Sequence, residues 1–151
     1  MELTLKTAQI GGGRITWQCA CFNSRKAARA VTRFYDRMLA PSGLKATQLT
    51  MLGAISISGT ARMSELASLL ALDKTTLTRN LRRLQADGLI AITTGADRRA
   101  RVVELTHTGT DALERALPLW REAQRRMVEH MGQERWRRLV TDLAEIDALV
   151  P

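Results

Sequence analysis

Between Lys74 and Arg83 the chain carries hydroxyls and cations at close spacing: Lys74, Thr75, Thr76, Thr78, Arg79, Arg82 and Arg83. A second cluster, Asp97-Arg98-Arg99, follows in a short loop that opens with Thr94-Gly95. Guanidinium forks match phosphate oxygens and base edges, and threonine hydroxyls reach the same acceptors. An arginine on a narrow projecting tip can also enter a minor groove, whose negative potential attracts it. In this scheme Thr75, Thr76, Thr78 and Arg79 face base edges, and Lys74, Arg82 and Arg83 serve phosphates. Arg99 enters the minor groove, Asp97 holds it, and Arg98 lies on the backbone. Read without such a partner, the same residues are only a solvated basic surface.

The elements that must position these residues run from Met63 to Thr106. A first helix is expected from Met63 to about Ala71, with Leu66, Leu69 and Leu70 on one face and Ser64 as its N-cap. A second runs from about Lys74 to Asp87. Asp73 caps it, since its carboxylate accepts free N–H groups and suits the positive end of the helix dipole. Leu77, Leu81 and Leu84 fall at i, i+4 and i+7, so they form the buried stripe. Gly88 supplies the left-handed residue that ends the helix. Leu89–Thr93 and Arg101–Thr106 are short, β-branched and partly alternating, which predicts a hairpin.

Helix, helix, strand, arginine-tipped loop, strand and a following helix form a winged helix-turn-helix, a mainly α fold with a small β-hairpin wing. The order of motifs resembles the MarR family of transcription regulators. Leu66 to Leu70, Leu77-Thr78-Arg79, Leu84 to Ile90, Asp97-Arg98-Arg99, and Leu105-Thr106 with Gly109 carry the resemblance. It runs from about Cys21 to the C-terminus. The resemblance implies a homodimer on a pseudo-palindromic operator in double-stranded DNA, more often repressing than activating. It also implies release by a small effector, often aromatic or phenolic, held between the reading domain and the dimer helices.

Composition narrows the alternatives. The 151 residues include 23 Lys and Arg against 15 Asp and Glu, a net charge of +8 that favours a polyanionic partner. From Asp73 to Arg101 seven basic residues stand against three acidic ones, so the charge is partly concentrated. The longest uncharged stretch, Ala46 to Ala61, is too short to span a membrane and carries Thr, Gln, Ser and Gly. No secretory pattern is visible at the N-terminus, and two cysteines make no disulfide framework, so a cytoplasmic protein is expected. With two histidines, no nucleophile motif and no nucleotide cradle, neither an enzyme nor a bound cofactor or metal is expected.

Residues 1–15 read as a flexible arm ending in Gly11-Gly12-Gly13. That triplet lacks the Lys-Ser/Thr of a phosphate loop. A helix follows from about Thr16 to Ala40, with Phe22, Ala27, Ala30, Val31, Phe34 and Met38 apolar and Arg25, Lys26, Arg29, Arg33 and Arg37 on other sides. Another, Lys45 to about Ile57, is core behind the reading pair. After the wing a long helix reaches about Met131 through Pro118. A last helix, Gln133 to about Val150, carries Trp136, Leu139, Val140, Leu143, Ile146 and Val150. That spacing needs a partner helix, from this chain or a second copy. Residues 44–107 then form the DNA-binding domain, and 16–43 with 108–151 the dimerisation region.

Two further readings stay open. Cys21-Phe22 with Ala27-Ala28, Thr32 and Tyr35 resembles the start of organic-hydroperoxide-sensing MarR members, in which a cysteine is oxidised and tyrosines hydrogen-bond to it. Cys21 and Tyr35 are then redox candidates, although Tyr35 is the only tyrosine. Otherwise Cys21 is a small, half-buried helix residue, and Cys19-x-Cys21 alone is a weak metal signal. Lastly, a winged helix can serve as a protein adaptor that touches no DNA. Such an adaptor would more often show apolar or acidic residues on the exposed helix.

Overall fold

The computed structural model describes residues 8–10, 13–15, 19–94 and 101–149. It forms two compact units, Met1–Phe34 and Tyr35–Pro151. In the first, β1 (Ala8–Ile10) pairs antiparallel with β2 (Gly13–Ile15), Gln9 opposite Arg14. The weakly patterned N-terminal sequence did not announce this hairpin. Helix α1 (Ala20–Leu39) begins in this unit and ends in the second. The expected start at Thr16 lies outside the described residues.

The second unit is built around α2 (Ala46–Ser58), α3 (Met63–Leu69) and α4 (Lys74–Ala86). Leu39, Leu52, Ile55, Leu66, Leu77, Leu81, Leu84 and Val103 are its fully buried large side chains. Asp36 from α1 caps α2 from outside, its Oδ1 accepting the Ala46 N–H at 2.8 Å. A three-stranded antiparallel sheet closes the core in the order β3-β5-β4: β3 (Thr60–Arg62), β5 (Arg101–Leu105) and β4 (Ile90–Thr94). Val103, on the central strand, lies opposite Ala61 on one side and Ile92 on the other. Helices α5 (His107–Met131) and α6 (Gln133–Asp147) follow, and α5 runs through Pro118 without a break. Among the described residues no helix is long and apolar enough to cross a membrane.

Several local expectations change. Thr60, beyond the expected helix end near Ile57, opens β3, a strand of three residues that pair with β5 and are too few to be announced by their own pattern. Ser64 lies inside α3. The helix start is held instead by Glu65, whose carboxylate accepts the Arg62 N–H at 3.0 Å. Leu69 is 62% exposed and Ile57 88%, so neither joins the core. The turn between α3 and α4 places Ala71 at φ 48°. A left-handed alanine costs roughly 1–2 kcal/mol, which the surrounding hydrogen bonds of Leu70, Ala71 and Leu72 must offset.

Candidate nucleic-acid interface

Helix α4 is fixed at its start and along one face. Asp73 Oδ1 accepts the Thr76 N–H at 2.8 Å, and Oδ2 accepts the Thr76 hydroxyl at 2.7 Å. The Thr76 hydroxyl, then its backbone N–H, hold the Asp73 carboxyl below the usual carboxylate range. Leu77, Leu81 and Leu84 are each at most 1% exposed and pin the opposite face into the core. At the other end Gly88 takes φ 71°, as expected.

What remains outward is basic. The helix holds Lys74, Arg79, Arg82 and Arg83 and no acid. Among the described residues none of these cations is ion-paired. Lys74, Thr75, Thr78, Arg79 and Arg82 line one hollow of about 540 Å³. Five of the seven residues read from the sequence therefore converge. Thr76 belongs to the cap, where its hydroxyl proton is engaged, and Arg83 is exposed but outside the hollow. The Thr78 hydroxyl donates to the Lys74 carbonyl at 2.7 Å, leaving lone pairs for an incoming donor. Asp97, Arg98 and Arg99 lie outside the described residues. The last described pair of the wing, Thr94 opposite Arg101, sets an exposed arginine at the rim. Arg101 was not among the sequence candidates, although a basic residue opening the return strand was a visible signal.

The wing is tied to α5 through Thr106. Its N–H donates to the Leu89 carbonyl at 3.1 Å, and its hydroxyl donates to the Gly88 carbonyl at 2.7 Å. The same oxygen accepts the Gly109 N–H at 3.0 Å and so caps α5. Gly109 is buried here: a Cβ on it would lie 1.9 Å from the Leu89 oxygen. The end of α4, the first wing strand and the start of α5 thus share one close backbone contact.

Comparison with known proteins bears on the family and the fold. A family model described as MarR family matches residues 42–100. The HTH-type transcriptional regulator YwoH of Bacillus subtilis is 30% identical over 81 residues, 54% of this chain, and the match spans 59% of that relative's length. The M. tuberculosis transcriptional regulator MosR, solved in complex with DNA, is 42% identical with a TM-score of 0.81. That alignment covers 87% of this chain and 96% of MosR. The chain belongs to the MarR family. A mutant of E. coli MarR complexed with operator DNA shares the fold, with a TM-score of 0.77 at 22% identity over 87% of this chain and 93% of that one. A MarR-family fold is that of a transcription regulator, not of an enzyme. The structural match to MosR extends well beyond the winged helix that the family model covers.

Against this MarR-family frame the redox candidates fall apart from each other. Cys19 and Cys21 are exposed free thiols at the start of α1. Tyr35 lies about four helical turns further along. Its hydroxyl donates to Gln124 Oε1 on α5, and burial pushes its pKa up. Among the described residues no cluster of His, Cys, Asp and Glu could hold a metal ion.

Proposed function

We propose that this chain is a sequence-specific DNA-binding regulator that acts as a homodimer on a pseudo-palindromic operator, as a repressor released by a small effector. The observation that carries the reading is the outer face of α4: Lys74, Thr75, Thr78, Arg79 and Arg82 around one hollow, with no acid on the helix. Thr75 and Arg79 meet base edges, while Lys74, Arg82 and Arg83 neutralise phosphates. Arg99 reads the minor groove from the wing, set by Asp97, with Arg98 on the backbone. Residues 44–107 are the reading domain, and 16–43 with 108–151 bring two copies together. A two-fold dimer then sets its α4 helices one DNA turn apart. The DNA complex of MosR supports the same mode of action.

The test is fluorescence anisotropy on a duplex from the region upstream of the protein's own coding sequence, titrated with random competitor at physiological salt. Tight binding that survives competitor is expected. Arg79→Ala and Arg99→Ala should each weaken it by roughly 1–3 kcal/mol, the scale of one specific contact. Binding that competitor and modest salt abolish would leave only the electrostatic attraction and favour the adaptor reading.

A peroxide-sensing form of the same regulator is supported by the exposure of Cys21. Its thiolate would attack the peroxide O–O bond, giving a sulfenic acid and releasing alkoxide or hydroxide. Peroxide should then abolish operator binding in the wild type and spare Cys21→Ser. Equal responses in the two proteins would remove the idea.

A further inference from the structure

We propose that the exposed arginine ladder of α1 (Arg25, Arg29, Arg33 and Arg37) is a second phosphate-binding surface for duplex DNA, in addition to the α4 residues. The inference rests on the DNA-binding reading above. The four arginines recur at i+4, so each is turned only about 40° from the one before and together they make one stripe. Lys26 falls within the same arc, and all five cations are exposed. The apolar positions Ala27, Val31, Phe34 and Met38 occupy the opposite arc. A second copy taken up on the apolar arc would therefore leave the basic one outward.

The ladder is costly to the helix that carries it. Like charges at i and i+4 repel, and here three successive pairs do so. Elsewhere the chain relieves that repulsion with acids three or four residues away. Glu122 bridges Arg125 and Arg126, Glu129 meets Arg125, and Glu134 meets Arg138. Helix α1 has one acid, Asp36, and its Oδ1 is taken by the Ala46 N–H at 2.8 Å. Among the described residues no ion pair involves any rung of the ladder. A line of four guanidiniums, with Asp36 as the one acid on the helix, keeps a net positive charge that fits a regular line of opposite charge. The DNA backbone is one, and arginine's planar fork binds phosphate oxygens two at a time.

The experiment compares wild type with the quadruple variant Arg25→Gln, Arg29→Gln, Arg33→Gln, Arg37→Gln. Glutamine is a good helix former and removes the repulsion, so the variant should keep its helicity and melt no lower than wild type. Affinity for the upstream duplex and for a random duplex is measured across a salt series, alongside the oligomeric state by sedimentation. The expected result is a loss of about tenfold or more on both duplexes at physiological salt, with their ratio unchanged. The slope of log affinity against log salt should fall by about 2 or more, from at least one phosphate contact per chain of a dimer. The matching set of Arg→Lys changes should keep most of that slope. An unchanged slope in a folded variant overturns the proposal, because the ladder is then only a solvated face. Loss of the dimer in step with the slope also overturns it, by placing the ladder against a second copy. Failure of the wild type to prefer the upstream duplex would count against the specific-regulator reading alone, because the random-duplex slope still tests the ladder.

Discussion

Helices α4 and α6 carry similar apolar stripes and meet opposite fates. In α4, Leu77, Leu81 and Leu84 are at most 1% exposed. In α6 no residue is buried, and Val140, Leu143 and Ile146 are 47%, 52% and 48% exposed. A stripe on a short helix is a demand for a surface to pack on. The reading head meets that demand within the chain, where the stripe joins the shared core and α4 packs on α3 and β4. The last helix leaves it open, and a second copy is the covering surface we propose.

The strongest way to break this comparison is to remove a side chain from the self-sufficient side. Leu81→Ala empties a site that is 0% exposed and should cost about 2–5 kcal/mol in urea unfolding. A loss below about 1 kcal/mol would mean that the α4 stripe is no more essential than the α6 one. Gly109→Ala ranks next. Its Cβ would lie 1.9 Å from the backbone oxygen of Leu89, an atom with no rotamer to escape through. The start of α5 must move, at roughly 1–3 kcal/mol by thermal or urea melts. Operator affinity should fall with it, because that contact joins the wing to the start of α5. Full stability with weakened operator binding would also be informative, since it would give Gly109 a purely positional role.

On the open side the expected effect is on assembly. Leu143→Glu puts a charge on an exposed apolar stripe and should leave the reading head folded. The dimer dissociation constant should rise about tenfold or more, on the order of 1.4 kcal/mol, by sedimentation. Weaker operator binding should follow from the lost second half-site. A variant with unchanged assembly would show that the α6 stripe is not the dimer surface.

The same contrast explains what could be read from the sequence. Periodicity exposes any helix whose stripe is complete, so α4, its Asp73 cap, Gly88 and the two wing strands were legible to within a residue or so. Features that exist only through distant partners were not. Strand β3 is three residues that pair with β5 across forty or more positions of chain, too short for its exposed–buried–exposed pattern to announce a strand. Thr76 is indistinguishable in sequence from its neighbours Thr75 and Thr78, yet geometry commits its hydroxyl to the Asp73 cap as a donor. Ala71 adopts a left-handed turn that sequence rules reserve for glycine or asparagine. Gly109 was legible as part of a motif, but its closeness to Leu89 was not. Leu69 kept the spacing of a core residue and is 62% exposed, and Ile57, near the end of α2, is 88% exposed.

The smallest expected effect asks whether the end of α4 matters as well as its face. Two donors from Thr76 hold the Asp73 carboxyl below its ordinary range, the hydroxyl first and the backbone N–H second. A carboxyl whose folded pKa is depressed adds stability above its unfolded value, near 4, and loses that stability as pH falls through the folded value. Asp73→Asn keeps a capping oxygen but neither the charge nor the titration. The urea midpoint of the wild type should therefore exceed that of Asp73→Asn at pH 7 and still at pH 5. The gap should close progressively below about pH 4 as the carboxylate is protonated. A gap that stays constant down to pH 2 would mean that the charge on the cap contributes nothing. The α4 register would then rest on the leucine stripe alone.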